Sequence, residues 1–143
     1  MAGYRKILLV VDLMEDSDVI GERAKAIAAC YQSEITLLHV VEYVPVEPMG
    51  EALLPTVQIE SELVERARRR LAELATALSL GNCRQLVETG GIKAEIIRSA
   101  QRLNVDLIVL GSRERHGLAI LLNFTEDTIL HAAPCDVLAV RLH

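Results

Sequence analysis

A chain of 143 residues that is 51% hydrophobic is long enough for one domain around one core and too short for two ordinary ones. Its formal charge of -5 leaves no basic stripe to neutralise phosphates, so nucleic acid is not an expected partner. The opening MAGYRKILLVV passes from two basic residues to an apolar run ended by Asp12, too short for a signal peptide or a membrane span. A cytosolic protein without membrane contact is expected.

KILLVV (6–11) is a continuous apolar run of strand length, the pattern of a strand covered on both faces. From Ser17 onward, Val19, Ile20, Arg23, Ala24, Ile27, Ala28 and Tyr31 recur at three-and-four spacing and predict a helix, with Asp16 or Ser17 as its N-cap. EITLLHVV (34–41), rich in β-branched residues, predicts a second buried strand. Residues 42–58 contain three of the four prolines and predict a long surface connection.

The next helix is expected from about Ile59 to Leu78, with Ile59, Leu63, Ala67, Leu71, Leu74 and Leu78 as its apolar stripe. Glu62–Arg66 and Glu65–Arg69 fall at i,i+4, so the charge run reads as a solvated face. Gly81 and Asn82 are the expected stop. RQLVE (84–88) predicts a short strand, Gly90–Gly91 a turn, Ala94 to Leu103 a helix and DLIVL (106–110) a fourth strand. A short helix near Glu126 to His131 and a fifth strand, DVLAVR (136–141), complete the chain. This alternation of doubly apolar strands with helices specifies an α/β fold, a doubly wound parallel sheet with helices on both faces.

Chemistry-bearing patterns are few. Cys30, Cys83 and Cys135 are odd in number and more than fifty residues apart, which predicts buried free thiols and neither a disulfide framework nor a zinc pair. His39, His116, His131 and His143 lack metal-ligand spacing, and His39, inside a buried strand, predicts a neutral imidazole bonded to backbone. His131 is placed to offset a helix-end dipole, and Met14 and Met49 to fill gaps beside the crevice. Neither the usual triphosphatase loop nor a hydrolase nucleophile elbow occurs, so turnover is not expected.

In open parallel sheets ligands bind beyond the carboxyl ends of the strands, where strand order reverses. Asp12, Val41 to Val44, Gly90–Gly91 and Gly111 to Arg113 follow the first four strands. Asp12 has two readings: acceptor for a ribose hydroxyl or adenine amine, or a tie for the loop LMEDS and cap for the helix after it. Gly111 would let backbone amides approach an anion.

KILLVVD, LLHVVE, GGIKAEII, DLIVLGSR and HAAPCDVLAVR, in this order and spacing over nearly the whole chain, resemble the universal stress protein family. The resemblance implies a five-stranded parallel sheet in the order 3-2-1-4-5 and a homodimer joined through the last strands. In the family's ATP-binding branch it implies a Gly-x2-Gly-x9-Gly-[Ser/Thr] loop after the fourth strand and an aspartate after the first that holds adenosine. Asp12 and Gly111 stand where that pattern begins.

Counted from Gly111, the second glycine position holds Glu114 and the third falls on Phe124–Thr125, or on Asn123–Phe124 if the tail APC is the anchor. Side chains there obstruct the positive φ and the close backbone approach that a phosphate loop needs. At ~4 Å, Glu114 and a phosphate charge would repel by ~1 kcal/mol in water and ~4 kcal/mol at an effective dielectric of 20. Gly117, Asn123 and the charges of Arg113, Arg115 and His116 point the other way.

The expectation is therefore a regulatory homodimer, paired through the apolar edge strand DVLAVRLH and acting on a protein partner, with a degraded phosphate loop and no cofactor. The alternative is a sensor of ATP or another adenine nucleotide built on Asp12, Val41, Gly111, Arg113, Gly117, Asn123, Phe124 and Thr125.

Overall fold

A computed structural model describes residues 3–42, 53–113, 129 and 131–142. In chain order the elements are β1 (Lys6–Val10), α1 (Ser17–Tyr31), β2 (Glu34–Val41), α2 (Leu53–Ala77), β3 (Arg84–Thr89), α3 (Ile92–Leu103), β4 (Leu107–Arg113) and β5 (Asp136–Leu142). The strands form one sheet in the order β3-β2-β1-β4-β5, with every neighbouring pair parallel. Order reverses between β1 and β4, as the doubly wound reading requires.

The central strand is buried on both faces. Ile7 and Leu9 of β1 join Ile35 and Leu37 of β2, Ile20 and Ala24 of α1, and Ala67, Leu71 and Leu78 in one core. Leu8, between them in sequence, points to the second core with Leu38, Ile108, Ile96 and Ala100 of α3, and Ile129. Adjacent residues of a strand project to opposite faces, so an uninterrupted apolar run is what a sheet sandwiched between helices demands.

Several element boundaries differ from the sequence expectation. α2 begins six residues early, at Leu53, inside the proline-rich stretch. Pro55 lies in its first turn, where the missing N–H would have had no intrahelical acceptor. Ile59, expected in the stripe, is exposed, whereas Ala67, Leu71 and Leu78 are buried. Among the described residues the ion pair on the solvated face is Glu65–Arg68 at 3.2 Å, spaced i,i+3, one residue closer than the expected i,i+4 pairs.

Neither Gly81 nor Asn82 ends α2. Ser79 does so with φ 60°, and the Leu80 N–H closes back on the Ala75 carbonyl at 2.7 Å. The same closure recurs after α1, with Gln32 at φ 55° and Ser33 bonded to Ala28. It recurs again after α3, with Asn104 at φ 53° and Val105 bonded to Ala100. This six-to-one pattern usually places glycine in the left-handed position; here all three are side-chain-bearing residues.

The cysteines are free, as expected, but Cys30 is exposed and Cys83 and Cys135 are half-buried. α1 buries Ser17, Ile20, Gly21 and Ala24, and position 30 lies off that stripe. Val19 is exposed for the same reason, whereas Tyr31, in line with the stripe, is exposed as the last residue of α1. Of the short helix expected near 126–131, Ile129, His131 and Ala132 are described and helical; the rest lies outside the described residues.

Candidate functional site

The carboxyl ends of β1 and β4 flank the point of reversal, and the residues there fall into two groups. The first surrounds the turn between β1 and α1. Asp12 Oδ1 accepts a hydrogen bond from the Met14 N–H at 2.9 Å and lies 3.3 Å from the Ser17 hydroxyl. That hydroxyl has one proton and sits closer to the Met14 carbonyl, at 2.9 Å. Asp12 thus ties its own loop together, the second of its two readings. Asp16 occupies the N-cap position of α1 at φ 69° without a side-chain capping bond.

Two further residues hold this turn from outside. His39 on β2 places Nδ1 2.8 Å from the Val11 carbonyl, so the neutral ring carries its proton on Nδ1 and donates it there. Burial pushes the His39 pKa below the usual histidine value, against the opposing pull of the Val11 carbonyl and Asp12. Arg70 of α2 donates to the Leu13 carbonyl. Leu13 itself adopts φ 60°, a left-handed conformation that a leucine rarely takes, and its side chain is buried. The sequence marked His39 as backbone-bonded but left Arg70 among solvated charges. Its only signal was a helix position whose reach depends on how α2 packs.

The second group lies on β4, which extends past the expected end at Leu110 to Arg113. Gly111 is therefore inside the strand, opposite Val140 of β5. A Cβ there would come within 2.6 Å of Ile20 Cδ1 and 2.9 Å of Leu142 Cδ1. A side chain at 111 would have to displace these two methyl groups, so glycine here has a packing reason independent of any anion. Val41 ends β2, and its carbonyl receives the Gly90 N–H at 3.1 Å. Arg113 is the last residue of β4. Glu114, Gly117, Asn123, Phe124 and Thr125, together with Met49, lie outside the described residues; Met14 is exposed.

The family model described as "Universal stress protein family" matches residues 3–141. The chain belongs to the universal stress protein family. "Universal stress protein A homolog 2" of Coxiella burnetii is 37% identical over 143 residues, covering 99% of this chain and 98% of that one. Among solved structures, "Universal stress protein UspA from Lactobacillus plantarum" superposes with a TM-score of 0.76 at 26% identity, covering 99% of this universal stress protein and all of its counterpart. Another, described as a universal stress protein in complex with cAMP, shares the fold at a TM-score of 0.63 and 18% identity, covering 97% and 98% of the two chains.

Among the described residues, no group of three or more His, Cys, Asp and Glu is arranged to hold a metal ion. No described helix is long and apolar enough to cross a membrane.

Proposed function

We propose that this universal stress protein is a cytoplasmic stress-response homodimer that acts by binding a protein partner, and that its phosphate loop no longer wraps a triphosphate. One observation carries the reading: the Asp12 carboxylate, which the ATP-binding branch would turn toward adenosine, accepts the Met14 N–H of its own turn. Two features support it. Gly111 is packed against Ile20 and Leu142, and the sequence places Glu114 and Phe124 where that branch has glycines. Pairing through β5 is supported by its position at the sheet edge, beside β4 alone among the described residues.

A second reading, an adenine-nucleotide sensor using Asp12, Val41, Gly111, Arg113, Gly117, Asn123, Phe124 and Thr125, is favoured by the family fold found in complex with cAMP. A thermal melt with and without Mg-ATP separates the two. A ligand at a hundred times its dissociation constant stabilises by ~2.7 kcal/mol, so an unmoved midpoint supports the first reading and a clear rise the second. Light scattering at micromolar concentration tests the dimer, which a monomeric mass would refute.

A further inference from the structure

At the opposite end of the sheet from Asp12, the amino ends of β1, β2 and β3 meet the last turns of α1 and α3 around an open cavity of about 690 Å³. That volume falls within the range of small-molecule sites. Three cations from three elements line it, Lys6 of β1, Lys25 of α1 and Arg84 of β3, against the single carboxylate of Glu34. Sheet register explains part of this convergence. Lys6 stands opposite Glu34, and Thr36 of the same strand stands opposite Arg84. All four share the face on which Leu8, Leu38 and Leu86 pack.

These charges are weakly committed. Among the described residues, neither Lys6 nor Arg84 forms an ion pair, and Lys25 has only a 3.8 Å contact with Glu22. Within the lining three cations face one carboxylate, with Glu22 beside Lys25 and Asp106 accepting the Lys6 N–H at its border, and on a chain of net charge -5 this local excess of cations favours an anion there. Ile35, Leu80, Leu103 and Val105 supply an apolar wall, and Thr36 and Asn82 add neutral polar groups. The half-buried thiol of Cys83 lies in the same lining.

We propose that this amino-end cavity is a second ligand site, taking a small organic anion with two or more negative charges on an apolar frame, held by Lys6, Lys25 and Arg84. The Asp12 crevice plays no part in it. Phenyl phosphate is the probe and inorganic phosphate its frameless comparison. Bound phenyl phosphate should slow alkylation of Cys83 by iodoacetamide several-fold, read peptide by peptide in a mass spectrometer. The exposed Cys30, outside the cavity, should react unchanged. Amide resonances of Lys25, Thr36 and Asn82 should shift in the same titration, more weakly with inorganic phosphate. Both responses should vanish in the Lys6→Gln/Arg84→Gln variant, whose exposed positions leave the melting temperature in place. Equal protection of both thiols, responses that survive in the variant, or silence of both Cys83 and the three amides at millimolar probe would overturn the proposal.

Discussion

The imidazole of His39 on β2 holds the Val11 carbonyl oxygen at 2.8 Å, just past the end of β1, and so anchors the first residue of the turn that carries Asp12. Burial lowers the ring's pKa below 6.5 in the folded chain, so the unfolded chain takes up a proton first as pH falls. Stability from this group is complete above about pH 6.5 and declines as pH drops from there to the lower folded value. Urea melts of wild type and His39→Gln between neutral and mildly acid pH should differ in slope, the variant being flatter. A His39 pKa at or above 6.5 by NMR titration would contradict this account.

Gly111 is predicted to be a packing residue. Gly111→Ala should cost about 1 to 3 kcal/mol, because the new methyl meets Ile20 Cδ1 and Leu142 Cδ1 in a filled core. Ile20→Val removes the nearer of these atoms, so the double variant should be more stable than the sum of the single losses predicts. Strict additivity in a double-mutant cycle would show that the two positions do not collide.

Asp12→Ala should destabilise the chain by about 0.5 to 2 kcal/mol, the usual effect of losing an acceptor for a backbone N–H at a helix entrance. Under the proposed function, the response of the melt to Mg-ATP is the same for wild type and variant. Hydrogen exchange should quicken at the Met14 amide, which loses its acceptor. Unchanged protection there would show that the carboxylate does not tie the turn.

Ser79→Gly should stabilise by about 0.5 to 1 kcal/mol, since glycine relieves the left-handed penalty at the end of α2 while giving some of it back in unfolded-chain entropy. Asn104→Gly, at φ 53°, should gain less, because asparagine tolerates that region better than serine. Equal effects at the two positions in denaturant melts would refute this ranking.

Much of the architecture was legible in the chain itself. KILLVV, EITLLHVV and DLIVL are apolar on both faces, and only a sheet covered on both sides satisfies them, so the parallel α/β order followed from periodicity. Proline misled at α2, because a proline breaks a helix interior but not its first turn, and composition does not show which position it will hold. Glycine misled twice. Gly81 did not end α2, and Gly111 did not stand beyond its strand.

What the sequence by itself determined was the set of strands and helices and their order, because these depend on local periodicity. Only the tertiary structure decided what Asp12, Arg70 and Gly111 touch. Asp12 turns back on the Met14 N–H, Arg70 crosses from α2 to Leu13, and Gly111 makes room for Ile20 and Leu142. The last two depend on the distance between elements remote in the chain, and that distance is set by how the helices settle on the sheet.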